Sequence, residues 1–100
     1  MILVRDIFQL KFGKAKEARE SWKEGRRLLQ NAGAGNLRIL ADLVGDYYTL
    51  VAESTYDNLS HYEQLMSRSM GSKESQEWYG KFSQLVEGGR REIFTIVDAS

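Results

Sequence analysis

The chain has no cysteine, no proline and a single histidine, and its charges cancel, with 14 Lys and Arg against 14 Asp and Glu. Each shortage excludes something. Without cysteine there are no disulfides, thiolate metal sites or cysteine nucleophiles. A small domain without disulfides also suits the cytoplasm better than the extracellular space. One histidine cannot by itself supply the three or four nitrogen or sulfur ligands of a protein-held zinc ion, so no metal or other cofactor is expected. Zero net charge gives no broad basic face, which argues against nucleic acid as a partner. The longest apolar stretches are short and soon interrupted: Met1-Ile2-Leu3-Val4 runs straight into Arg5-Asp6. That start reads as neither a signal peptide nor a membrane span, so no membrane partner is expected. No Pro-rich linker divides the chain, and its 100 residues fit one domain spanning 1–100.

What the chain does have is pattern. Residues 2–12 are rich in β-branched, leucine and aromatic side chains and read as a strand closed by Gly13. Over 14–31 the apolar positions Ala15, Ala18, Trp22, Gly25 and Leu29, widened by Leu28, recur at steps of three and four and predict a helix. The segment 32–36, Ala-Gly-Ala-Gly-Asn, supplies its stop. Two further β-type runs, 37–44 and 47–54, flank Gly45-Asp46, a pair suited to a two-residue hairpin turn. Such a turn places Arg38 opposite Glu53, Leu40 opposite Val51, Asp42 opposite Thr49 and Val44 opposite Tyr47. The alternate face, Leu37, Ile39, Ala41 and Leu43, is apolar and is expected under helices. Asp57 is a candidate N-cap for a helix with the stripe Leu59, Tyr62, Met66 and Met70. After Gly71, Ser72 can cap another helix carrying Trp78, Phe82, Leu85 and Val86, which Gly88-Gly89 is expected to end. A final strand is expected over 90–97.

The order strand, helix, strand, strand, helix pair, strand gives an α+β fold: a ferredoxin-like βαββαβ unit, with helices on one face of a four-stranded antiparallel sheet. The other face, bearing Leu40, Val44, Val51 and Tyr47 among its polar residues, is too apolar to be left comfortably in water. The expected cover is the same face of a second copy, giving a homodimer.

Three short motifs resemble those of NIPSNAP-like proteins. Phe8-Gln9-Leu10-Lys11-Phe12-Gly13-Lys14 is similar to their aromatic-x-Leu-Lys-Pro-Gly-Lys strand end, with Phe12 in place of the proline. Tyr56-Asp57-Asn58-Leu59 resembles their Tyr-Asp-Ser-Leu helix start, and Glu77-Trp78 with Phe82 their Glu-Trp-x-x-Phe. The resemblance implies the dimeric α+β barrel superfamily, which includes antibiotic-biosynthesis and heme-degrading monooxygenases. It also implies a pocket between sheet and helices.

Few residues suggest chemistry. Alternation puts Asp6 on the face of Ile2, Val4, Phe8 and Leu10, facing the helices. A buried carboxylate is costly unless paired, and burial suits a general base, so Asp6 is a candidate catalytic residue. It reads equally as a structural partner of Arg5 or Arg91, or as turned outward by a bulge. His61 reads as a general base or, by the resemblance, a heme ligand; its helical neighbours Asp57 and Arg68 fit a solvated residue as well. Tyr48, Tyr62 and Trp78 are candidate ligand-binding residues, with core packing as the plainer alternative. Arg38 with Glu53 reads as an interface ion pair, and Arg26-Arg27 and Arg90-Arg91 as solvated pairs. Three functions follow as expectations: a cofactor-independent oxygenase or binder of a small apolar or aromatic ligand, a non-catalytic homodimeric module, or a heme-binding monooxygenase.

Overall fold

The computed structural model describes residues 1–98. Strand β1 (Ile2–Leu10) leads through a turn at Gly13, whose φ is +81°, into helix α1 (Ala15–Asn31). β2 (Gly35–Ala41) and β3 (Thr49–Tyr56) form a hairpin, followed by α2 (Leu59–Met70), α3 (Lys73–Ser83) and β4 (Val86–Thr95). The strands lie in the order β2-β3-β1-β4, every pair antiparallel. This is the ferredoxin-like α+β arrangement. The helices cover one face, and the two halves of the chain meet at the central strands β1 and β3.

Strand alternation sorts β1 cleanly. Val4, Asp6 and Phe8 face the helices, while Arg5, Ile7 and Gln9 face away. Beneath α1 and α3 lies a core of Leu10, Ala18, Trp22, Leu50, Ala52 and Phe82. A second cluster under α2 holds Val4, Ala34, Tyr56, Tyr62 and Leu65. Between α1 and α3, Trp78 and Phe82 stack in parallel, 5.5 Å between ring centroids, and Trp22 stands edge-on to both.

The hairpin keeps the expected register, with Arg38 beside Glu53 and Leu40 beside Val51, but not the expected turn. The Thr49 N–H goes to the Asp42 carboxylate at 3.0 Å, while the Asp42 N–H reaches the Thr49 carbonyl at 3.1 Å. A side chain thus stands in for the backbone carbonyl, the ladder closes there, and 42–48 becomes a loop. Leu43 and Val44, 96% and 93% exposed, therefore project from the loop tip; Leu43 does not lie under helices, and Tyr47 is exposed as well.

Other boundaries differ for equally local reasons. β1 stops at Leu10 rather than at 12, and Phe12 is exposed against Tyr48. Asn58, not Asp57, caps α2: it is extended, and its side chain accepts the His61 N–H at 2.9 Å. Ser72 caps α3 as expected, accepting the Ser75 N–H. Leu59 and Met70 of the expected stripe are exposed, and Leu65 is buried in their place. α3 ends at Ser83, and Gly88-Gly89 lies inside β4, opposite Gln9 and Phe8, instead of ending a helix. A β-carbon on Gly89 would come within 2.5 Å of the Ile7 carbonyl oxygen, so the close approach of β4 to β1 requires glycine there. β4 accordingly begins at Val86 and ends at Thr95, short of 97.

Candidate functional site

The helix side of the sheet is not completely filled. A cavity of about 470 Å3 opens between β1, β3, β4 and the helices. Its walls include Val4, Phe8 and Ala52 from the sheet, Trp22 from α1, Tyr62 and Met66 from α2, and Trp78 and Tyr79 from α3. The volume lies in the range of small-molecule sites, and the lining matches their usual makeup: apolar and aromatic, with a few polar groups.

Of the three charged groups in the lining, Glu63 comes from α2 and the other two from adjacent strands. Asp6 of β1 and Arg91 of β4 are register partners. Arg91 Nε donates to Asp6 Oδ1 at 2.6 Å, and both side chains line the cavity. Asp6 is 28% exposed and Arg91 55%, so the pair sits in the cavity wall toward its open side. The Arg91 guanidinium lies over the Tyr62 ring, 5.8 Å from its centroid, a cation–π contact. Hydrogen bonding to Asp6 raises the Arg91 pKa, keeping the guanidinium charged.

Two tyrosines complete this end. The Ser54 hydroxyl lies 2.8 Å from the Tyr56 hydroxyl, and the Tyr56 and Tyr62 rings meet edge to face at 5.0 Å. Burial raises the pKa of both phenols, so both stay neutral well into the alkaline range. At the other end, Trp78 Nε1 donates to the Ser21 carbonyl at 2.7 Å. Trp22 Nε1 is buried with no hydrogen-bond partner among the described residues.

The structure brings together three of the five residues expected at a site. Asp6, Tyr62 and Trp78 line the cavity. Asp6 is paired with Arg91 and not with Arg5. Tyr48 lies elsewhere: its φ of +57° and its packing on Phe12, 4.6 Å between centroids, hold it at the base of the 42–48 loop. His61 is outside the lining. Its Nδ1 accepts the Asp57 N–H at 3.1 Å, and its ring meets Tyr56 at 5.5 Å, so it is committed to the start of α2.

Tyr56 and Ser54 were not among the expected site residues, and Arg91 was expected only as one of two alternative partners of Asp6. Arg91 is thus held by Asp6; of the other basic pair, Arg26 donates to the Leu37 carbonyl at 3.0 Å, while Arg27 stays exposed and pairs with Glu24 and the exposed Glu74. Alternation along β1 identifies the face of Asp6. Only the β1–β4 register, which joins residues 85 apart, identifies its partner.

The opposite sheet face carries a row of alternating charge. Arg38 binds Glu53, Arg5 Nε lies 3.3 Å from Glu53 Oε2, and Arg5 Nη1 lies 3.6 Å from Glu92 Oε1. Glu53 is buried beneath these arginine stems. Leu40, Val51, Ile7 and Arg90 form the next row. Among the described residues no group of His, Cys, Asp and Glu is arranged to hold a metal ion, and no helix is long and apolar enough to cross a membrane.

Neither a family model nor a curated protein matches the chain by sequence. Structure gives strong matches. A NIPSNAP family protein of unknown function from Agrobacterium tumefaciens superposes with a TM-score of 0.91 at 18% identity, covering 100% of this chain and 91% of that one. An uncharacterized NIPSNAP domain protein from Burkholderia xenovorans gives 0.90 at 18% identity, covering 100% and 98%. A protein from Nitrosomonas europaea, provisionally assigned as an antibiotic biosynthesis monooxygenase, gives 0.74 at 13% identity, covering 98% and 100%. The fold is thus that of NIPSNAP family proteins, with a more distant likeness to the monooxygenase type.

Proposed function

We propose that this chain binds a small apolar or aromatic compound in the cavity between sheet and helices, with Asp6 placed to accept a proton from it. That is the arrangement a cofactor-independent oxygenase, or a ligand-binding relative of one, would use. The observation that carries this reading is the Asp6–Arg91 pair in the wall of a cavity otherwise lined mainly by aromatic and aliphatic side chains. The likeness to a provisionally assigned monooxygenase supports the same reaction class.

The test is a titration with 2-naphthol followed by tryptophan fluorescence, since both tryptophans line the cavity. Saturable quenching is expected, and it should weaken at least about tenfold in Ala52→Leu, which adds bulk to the cavity wall. Absence of quenching, or quenching indifferent to Ala52→Leu, sinks the reading.

We further propose that the protein is a homodimer built through its open sheet face, in the cytoplasm. The charge row Arg38–Glu53–Arg5–Glu92 has alternating signs, so a two-fold copy can meet it in register. Leu40, Ile7 and Phe94 supply apolar area beside that row. Sedimentation velocity at micromolar concentration should give a dimer; a monomer refutes it. A purely structural module remains a second reading, favoured by the fact that Asp6 already has a partner. It predicts a dimer that does not bind 2-naphthol.

A further inference from the structure

Asp6 and Arg91 meet at one point only. Arg91 Nε donates to Asp6 Oδ1, and no second hydrogen bond joins the two side chains. In a forked alignment two guanidinium nitrogens would meet both carboxylate oxygens. The single contact leaves Asp6 Oδ2 as an acceptor and the Arg91 Nη groups as donors, none of them hydrogen-bonded among the described residues. The register of β1 and β4 holds the two residues side by side, and the Tyr62 ring supports the guanidinium.

The charges matter as much as the free groups. The pair is neutral overall, so it has no net attraction for an anion or a cation. Glu63 also lines the cavity and adds a negative charge, which disfavours an anionic ligand further. At the Asp6–Arg91 pair the wall therefore presents one acceptor next to one set of donors, in a cavity that the rings of Phe8, Trp22 and Tyr62 also line.

We propose that the cavity takes an uncharged, planar aromatic compound carrying a hydrogen-bond donor and an acceptor on neighbouring atoms, as a cyclic amide or its enol-type equivalent does. The donor N–H or O–H goes to Asp6 Oδ2, and the adjacent carbonyl accepts from an Arg91 Nη. This specifies the ligand of the cavity-binding reading above and rests on it.

Four probes of one shape separate the possibilities: 2-quinolone, N-methyl-2-quinolone, quinoline and 2-naphthoate, each titrated into the full chain at neutral pH by tryptophan quenching. 2-Quinolone should bind at least about tenfold more tightly than each of the others, the scale of one lost hydrogen bond to a charged group. In Arg91→Met that preference should fall to within about threefold. Equal binding of N-methyl-2-quinolone, tighter binding of 2-naphthoate, or a preference that survives Arg91→Met overturns the proposal. If all four bind alike, the cavity binds aromatics but the paired recognition is wrong. If none binds, the cavity-binding reading falls with it. The ranking in the unmodified chain decides the matter even if Arg91→Met fails to fold.

Discussion

The Trp78 indole lies against the α-carbon of Gly25: a β-carbon there would sit 2.3 Å from Trp78 Cζ2 and 2.8 Å from Cη2. The contact joins α1 to α3, and Trp78 adds a hydrogen bond to the Ser21 carbonyl one turn earlier. A glycine in mid-helix ordinarily costs about 1 kcal/mol relative to alanine. Here it makes room for an aromatic ring that also lines the cavity.

Gly25→Ala should therefore destabilise the protein even though it improves helix propensity. Overpacking of a fitted contact costs about 1–3 kcal/mol, and the propensity gain offsets about 1 kcal/mol of that. The net loss should lower the melting temperature by several degrees, on the scale of about 4–8 °C per kcal/mol for a domain of this size. A thermal melt checks it. A rise in the melting temperature would mean that Trp78 does not occupy this groove.

The buried phenols set an alkaline limit. Burial raises the Tyr56 and Tyr62 pKa values above the ordinary value near 10. The folded state then holds its protons more tightly than the unfolded state does. Below about pH 10 both states are protonated and this stabilisation is fully present. As pH rises through the folded-state pKa values, stability falls, because the unfolded chain ionises first. Urea unfolding measured at rising pH should show that decline in the wild type and a shallower one in Tyr62→Phe. Absorbance titration of the five tyrosines should show a late-ionising fraction that shrinks in the variant.

Much of the frame is legible in the sequence. The helical stripe over Ala18, Trp22 and Leu28 identifies the buried face of α1, and alternation puts Asp6 toward the helices. The Gly45-Asp46 pair gives the right hairpin register even though the turn is wrong, because any loop centred on that pair sets Arg38 against Glu53. What the sequence hides is decided by competition between local groups or by long-range pairing. The Asp42 carboxylate captures the Thr49 N–H and ends the ladder early. The positive φ of Tyr48 carries its ring to Phe12, away from the cavity. Arg91 reaches Asp6 only because β4 folds back beside β1.

The charge row on the open face should respond unequally to substitution. Glu53 is buried between Arg5 and Arg38, with 5% of its side chain exposed, whereas the Arg38 side chain is 69% exposed. Glu53→Gln removes the charge on which both arginines converge and should cost about 1.5–3 kcal/mol, typical of hydrogen bonds to charged groups. Arg38→Met should cost less than about 1 kcal/mol in an isolated monomer, since solvent screens the largely exposed Arg38 and Arg5 still pairs with Glu53. If the face is covered by a second copy, denaturation midpoints will rise with protein concentration, and Arg38→Met will weaken that dependence. Midpoints independent of concentration would count against the dimer.

The start of α2 offers a test between two neighbouring residues. Either could serve as an N-cap by type, but Asn58 has the extended backbone and accepts the His61 N–H, while Asp57 stands one residue earlier, donating its own N–H to His61 Nδ1. Loss of a side-chain cap typically costs about 1 kcal/mol. Asn58→Ala should thus lower stability by about that amount in urea unfolding. Asp57→Ala keeps its backbone N–H and loses only a contact 3.8 Å from the His61 ring, with an exposed carboxylate, so it should stay within about 0.5 kcal/mol of wild type. The reverse order of effects would mean that α2 begins one residue earlier than the structure shows, which would also turn His61 relative to Tyr56 at the edge of the cavity.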